Sequence, residues 1–418
     1  MTTEEPREAG QRLDRAIDDL LEDAAGLLER LILIPSLAGS EGEAQHTLLR
    51  WLQTRGMECC LQEADAELES DPDYVPCQAD GRHAPNVRMR IGRAAGGKTL
   101  VLNSHMDVVP PEAPSGFAAR RDNGIIHGRG ACDAKGQVVT ICLAMLAVRE
   151  AGLEPSGECV GLSVVEEEAG GNGTLAWIRA GERADGCVVL EPSRLEVHPA
   201  NRGALWFRIL VRGKATHMGR WWEGRSAFED LEKVLAEVRA FGEELVERSR
   251  DIPLFPSDPS PVHVNIGEVR AGDWPSTVPA TAEARGAVSF LPNASLEEVR
   301  SGLESAVQKA RQRHGVNAEI RFDGLANAPY ALDVSHPLPA LLALQVEEVR
   351  GRAQISGYLA SCDARLMHHR AGIPTVVFGP GDLRDAHSAS EKVALEEIRD
   401  AARALARLIV RWCDPETG

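Results

Sequence analysis

Residues 98–109 read KTLVLNSHMDVV, residues 159–165 CVGLSVV and residues 185–192 DGCVVLEP, with QVVTICLAMLAVREAG at 137–152 between the first two. The three short runs are apolar at successive positions, as in strands buried on both faces. The longer segment reads as a helix. Strand and helix in alternation predict an α/β fold whose sheet is parallel at least at its centre. NVRMRIG at 86–92 and PTVVFGPG at 374–381 extend the same pattern.

Working outward, residues from about Arg12 to Arg55 show amphipathic helical patterning, broken where LLERLILIPS meets its proline and EGEAQHTLLRWLQTRG its glycine. A final helix is expected from Ala389 to Trp412. Between Asn201 and Asp323 the order is a strand (ALWFRILVRG), a helix (Ala227 to Arg248), two strands (VHVNIGEVRAG, ARGAVSFL), a helix (Leu296 to His314) and a strand (AEIRF). This is the β-α-β-β-α-β, ferredoxin-like unit. The strand-rich first part needs the last hundred or so residues to complete its sheet, which predicts that the small unit is inserted into the larger one. Residues 1–200 and 324–418 are therefore expected to form one domain, with a mixed sheet and helices on both faces, and residues 201–323 the other.

A chain of 418 residues exceeds what one core usually supports, which also points to two domains. Its formal charge of −17 argues against nucleic acid or an anionic membrane as partner, leaving small molecules and peptides. The acidic N-terminus, MTTEEPREAGQRLDRAIDDL, lacks the basic start and apolar stretch of a secretory signal, and no run has the length of a membrane helix. A soluble cytoplasmic protein beginning near Met1 is expected. Nine scattered cysteines without a CxxC pair read as reduced core thiols, Cys132 among them as a small packed residue.

Polar residues gather at the ends of the apolar runs. His105 and Asp107 share a face at the end of one strand, where an imidazole can bind metal through one nitrogen while a carboxylate fixes the other. Alone, the pair also suits a polar strand end. HGRGACDAKGQ delivers Asp133 ahead of a helix; a simple N-cap is common there, but glycines crowded around one Asp and one Lys suggest backbone passing close to something bound. Glu166, Glu167 and Glu168 end another strand. A surface charge run is the usual meaning, yet strand carboxyl ends are where α/β proteins gather ligands, and extended neighbours point opposite ways, so one Glu could bind metal while the next faces water. Spacing does not say which. Glu191 ends a further strand, pinned by Pro192, and His387 precedes a capping box of Ser388 and Glu391. Two histidines and several carboxylates match the N/O ligand chemistry of zinc, in two sites bridged by a carboxylate.

SHMDVVP, GRGACDAKG, VEEEAGGNGT, LEPS, GKATHMG, CDAR, GIPTVVFGPGD and AHSASE follow one another in the order of the M20 metallopeptidases. From about Leu27 onward the chain resembles that family, in the branch of acetylornithine deacetylase and succinyl-diaminopimelate desuccinylase. The resemblance implies a two-zinc catalytic domain, with cobalt as a substitute metal, an inserted dimerisation or lid domain and a homodimer. It implies that Asp133 bridges the metals, with His105 and Glu191 on one and Glu168 and His387 on the other. Glu167 would be the general base, by counting from the family's paired glutamates to Gly173, and Asp107 would orient His105. His217 would stabilise the oxyanion, commonly in the partner subunit's site, although spacing alone makes it a surface histidine. Arg365 would hold a substrate carboxylate, or else serve an internal ion pair, and Gly379 would lie beside the substrate.

Departures from the family pattern bear on specificity. Ser289 stands where many members carry an Arg that in some contacts the substrate carboxylate, and Ser226 stands where Asn is usual. Trp221 and Trp222 suit an aromatic wall near the acyl group or packing at a dimer interface. Glu rather than Asp at 191 goes with deacylases and carboxypeptidases. The expected activity is removal of an acyl group from a small N-acyl amino acid, with dipeptidase or carboxypeptidase as the second reading. An inactive binding homologue would show a missing ligand or base, and none is missing; a metal-dependent phosphatase or nuclease would sit poorly with the negative charge.

Overall fold

The computed structural model describes residues 5–76, 83–93, 96–256 and 259–414. Chain contacts divide the protein into two compact units. One comprises Met1–Pro199, Leu332–Ser356 and Cys362–Gly418, the other Ala200–Ala331 and Gly357–Ser361.

The larger unit is built on the strand Thr99–His105, buried along all but its first residue. It pairs in parallel with Glu158–Val164 on one side and Gly186–Val189 on the other. Asn86–Gly92 and then Glu58–Gln62 continue the sheet in antiparallel fashion. At the other side Thr375–Val377 runs parallel to Gly186–Val189 and antiparallel to Val197–Asn201, which places it between two strands that are neighbours in the chain. The sheet is thus mixed, with a parallel centre, as the unbroken apolar runs predict.

Helix Lys135–Glu150 is buried from Lys135 to Val148, because it is enclosed by the sheet and by the helices Glu5–Ile32 and Leu395–Cys413. The last of these presents Ile398, Ala402, Leu405 and Ile409 to the core. Its outer arginines reach the acidic first helix, Arg403 to Asp18 at 2.7 Å and Arg407 to Asp14 at 2.9 Å. Such part-exposed pairs contribute little each. The helical patterning of Arg12 to Arg55 resolves into Glu5–Ile32 and Gly42–Gln53.

The final helix corrects the sequence reading. It starts at Leu395 rather than Ala389, because Lys392–Ala394 is a strand paired with Ile125–His127. The Ser388–Glu391 capping box does not form: the Ser388 hydroxyl donates to the Asp385 carbonyl, and Glu391 is buried in other contacts described below.

In the smaller unit the strands order as His263–Ala271, Thr281–Phe290, Gly203–Arg212 and Asn317–Arg321, all antiparallel. Gly203–Arg212 alternates buried and less buried residues, the mark of a sheet covered on one face. Helices Ala227–Arg248 and Leu296–His314 cover it, capped by Ser226 and by a Ser295–Glu298 capping box. Leu205, Phe207 and Ile209 form its core with Leu231, Val234 and Leu303.

The eight described cysteines are free thiols; Cys60 is exposed and Cys59 half-buried, against the expectation of core thiols throughout, because their strand lies at the sheet's edge. Cys77 lies outside the described residues. Among the described residues no helix is long and apolar enough to cross a membrane.

Candidate metal centre

Strand register explains why distant residues converge. His105 lies opposite Val164, Asn103 opposite Val189, and Val189 opposite Val377. The segments that follow these strands therefore leave the sheet at one edge, and they carry Glu166–Glu168, Glu191 and His387.

His105 is buried, with Nδ1 at 3.0 Å from the Asp107 carbonyl oxygen and 3.4 Å from its carboxylate. Its Nε2 lies 3.0 Å from Asp133 Oδ1 and 3.9 Å from Glu191 Oε1. The Asp107 carboxylate does more than face the ring: it accepts the backbone N–H groups of Glu167 at 3.1 Å and Glu168 at 2.9 Å. One side chain thereby ties the His105 strand end to the glutamate loop.

Asp133 sits in a turn that Gly130 makes possible, with φ of +85° and Val108 where a Cβ would fall. The two Asp133 oxygens face different histidines, Oδ1 toward His105 and Oδ2 toward His387 Nε2 at 3.4 Å. His387 Nε2 also lies 3.0 Å from Glu168 Oε1. Ligand atoms of His105, Glu167 and Glu191 lie within 4.8 Å of one another, as do those of His105, Asp133 and Glu168. The other expected ligands, Glu168, Glu191 and His387, thus gather around His105 and Asp133, with the expected base on the His105–Glu191 side.

The structure also separates Glu167 from Glu166. Glu166 is buried, has φ of +59°, and its carboxylate accepts from His83 Nδ1 at 2.8 Å and Asn172 Nδ2 at 2.7 Å. Glu167 points to the His105–Glu191 side of the cluster.

The charges in this cluster are unbalanced. Desolvation, reinforced by the neighbouring carboxylates, pushes Glu167 and Glu191 well above the ordinary carboxyl range, and desolvation and Asp133 raise Glu168. At Asp133 desolvation is outweighed by His105 and His387, which hold it low. Desolvation at His105 is outweighed by Asp107 and Asp133, and His387 is raised to about 10 by Asp133 and Glu168. Crowded carboxylates with imidazoles are the donor set that divalent cations of zinc type satisfy.

Several residues take a part in this geometry that the sequence did not suggest, Glu391 among them, which reads there as a helix cap. Glu391 Oε1 accepts the backbone N–H groups of Gly130, Cys132 and Asp133 at 2.9–3.0 Å, while its other oxygen pairs with buried Arg129. Gln137 Nε2 donates to the Cys132 and Pro380 carbonyls, joining the Asp133 turn to the segment that leads toward His387. Thr174 donates to Asp363 at 2.6 Å.

The remaining expected site residues are placed differently. Arg365 is buried and donates to the Gly170 carbonyl at 2.8 Å, with Asp363 the foremost charge opposing its desolvation. Gly379 is buried; its N–H donates to Ser193 Oγ and its carbonyl accepts from the same hydroxyl. His217 belongs to the smaller unit, where it is exposed and its Nδ1 accepts the Gly219 N–H. Trp221 and Trp222 are about two-thirds exposed and meet edge to face. Ser289 bridges the strand His263–Ala271, accepting from His263 N and donating to the Pro261 carbonyl.

A model of peptidase family M20/M25/M40 matches residues 101–411, the stretch that carries every one of these metal-facing side chains. The chain belongs to the M20 family. As an M20 hydrolase it acts on peptide or amide bonds. The N-formyl-4-amino-5-aminomethyl-2-methylpyrimidine deformylase of Bacillus subtilis is 27% identical over 79% of this chain and 83% of its own. A protein named probable carboxypeptidase from Aspergillus terreus is 29% identical over 94% of this chain and 88% of its own. Among solved structures, an M20 metallo-carboxypeptidase from Sulfolobus solfataricus superposes with a TM-score of 0.74 at 18% identity, covering 93% of this chain and 99% of its own. At that identity the likeness concerns the fold.

Proposed function

We propose that this M20 hydrolase is a dinuclear zinc amidohydrolase that removes the acyl group from an N-acyl amino acid, as a cytoplasmic homodimer. The observation that carries the dinuclear reading is Asp133, whose two oxygens face His105 and His387 separately. His105 and Glu191 would hold one ion, Glu168 and His387 the other, and Asp133 both. Two divalent ions held there supply Lewis-acid activation of water and of the scissile carbonyl.

The protein's own part follows from the side chains. Glu167 takes the proton of the attacking water and returns it to the leaving amine. Asp107 keeps the His105 ring oriented and the Glu167–Glu168 loop in register with it. His217, supplied by a partner subunit, donates to the oxyanion. Arg365 and Gly379 shape the substrate side of the site, the former through the Gly170 loop and the latter through Ser193.

The deformylase relative supports deacylation, with which Glu191 is compatible. The relative named as a carboxypeptidase supports a second reading, cleavage of a peptide bond with the same centre. Amine release from N-formyl, N-acetyl and N-succinyl amino acids, set against dipeptides, separates the two. Turnover should require divalent metal and vanish in Glu167→Ala; activity that survives chelation would exclude the mechanism, and preference for dipeptides would select the second reading.

A further inference from the structure

Residues Ser36–Glu41 precede the stretch 101–411 that the family model matches, yet they touch the main chain on both sides of the centre. The Ser36 hydroxyl donates to the Met106 carbonyl at 2.7 Å, and the Val108 N–H donates to the Ser36 carbonyl at 2.9 Å. These bonds flank Asp107. A few residues on, Glu41 is fully buried, and its Oε1 accepts the N–H of Gly39 at 3.0 Å and the N–H of Glu166 at 3.0 Å.

The common reason for a polar residue at Glu41 would be to cap the helix Gly42–Gln53 that it precedes. It makes no such bond. Its carboxyl is committed instead to the residue where the glutamate loop turns, since Glu166 has φ of +59°, a conformation that a side-chain-bearing residue keeps only when its surroundings hold it. His83 and Asn172 hold the Glu166 side chain, but Glu41 takes its N–H. Immediately after this turn the amides of Glu167 and Glu168 reach Asp107.

We propose that Glu41 is a positioning residue for the metal centre: by accepting the Glu166 N–H it sets the turn that delivers Glu167 and Glu168 opposite Asp107. The inference rests on reading the Asp133 cluster as a metal centre. Glutamine keeps the length of the side chain and the Oε1 acceptor for the Gly39 and Glu166 N–H groups, and burial, then the charge of Asp107, push the Glu41 carboxyl up to about 8, toward the neutral form that glutamine copies.

The test compares Glu41→Gln, Glu41→Ala and Glu41→Asp in the full chain; the Asp side chain keeps the carboxyl but is one methylene short. Each is stripped of metal and titrated with Co2+, following the visible absorption of the bound ion, then with Zn2+ against a chelator. Glu41→Gln should stay within about threefold of the unsubstituted protein. Glu41→Ala and Glu41→Asp should lose roughly 10- to 100-fold in metal affinity, the range for outer-shell partners, with an altered cobalt spectrum and a fall in kcat larger than the change in KM. A role in packing alone would lower the unfolding temperature and leave the affinity and spectrum of the folded protein unchanged, which would overturn the inference; so would a Gln variant as impaired as the Ala variant. If the unsubstituted protein binds neither ion, the metal-centre reading itself falls, and this inference with it.

Discussion

The Glu391 carboxylate accepts the backbone N–H of Asp133 at 3.0 Å. It does so while paired with Arg129, and both side chains are buried. Removing the carboxylate in Glu391→Ala strands a buried guanidinium and three amides. The expected loss of stability is on the order of 3–5 kcal/mol, read from urea denaturation, together with weaker metal binding. Glu391→Gln keeps an acceptor and should lose less on both counts.

Glu167→Gln should bind metal at the parent stoichiometry but hydrolyse substrate roughly 10²- to 10⁴-fold more slowly, the span usual for a lost acid–base group. Metal content and kcat measured on one preparation decide this. Glu166→Gln should lose far less turnover, because the Glu166 carboxylate is occupied by His83 and Asn172.

Metal uptake should release protons. In the metal-free protein His105 is raised well above 6.5 and His387 to about 10, so both rings are protonated at neutral pH, whereas a metal ligand must be neutral. Apparent affinity should therefore climb with pH up to about 10. The sign for stability is opposite: the folded value of His387 lies above its unfolded value of 6.5, so its carboxylate contacts stabilise the metal-free fold fully below 6.5 and cease to as pH passes 10. Calorimetric titration in buffers of different ionisation enthalpy counts the protons; affinity that is flat in pH would contradict the assignment.

Lys135 is fully buried and donates to the carbonyls of Leu31 at 2.7 Å and Ile34 at 2.8 Å, near the end of the first helix. Lys135→Met fills the same space but takes the ammonium donor from both carbonyls, of which, among the described residues, only Leu31 keeps another partner, the Ile34 N–H at 3.1 Å. A loss of about 1–3 kcal/mol is expected, visible as a lower urea midpoint with an unchanged slope.

His105, Glu168 and Glu191 stood out in the sequence as candidate ligands because each lies at or shortly after the end of a buried apolar strand, where a charged residue has little structural excuse, and Asp133 because of the glycines around it. The sequence left Glu166 and Glu167 undivided, since counting along extended chain assumes alternating side chains and the left-handed turn at Glu166 breaks that alternation. Glu391 was misread for a related reason. S-x-x-E is the local pattern of a helix cap, and what overrides it is Arg129, a partner distant in the chain that only the fold supplies. Glu41 sat within a helical pattern that accounted for its neighbours. The β-α-β-β-α-β order was legible from alternation alone, because its sheet has one covered face.

The strand Thr375–Val377 slots between Gly186–Val189 and Val197–Asn201, which are adjacent in the chain. During synthesis on the ribosome the earlier pair must wait with a gap between them while the whole smaller unit emerges. His387 appears later still. A chain made only as far as Glu191 lacks the last histidine of the proposed ligand set, so that set is completed only once the His387 segment has been made. On the proposed ligand set, the topology thereby orders closure of the metal centre after the smaller unit has been made.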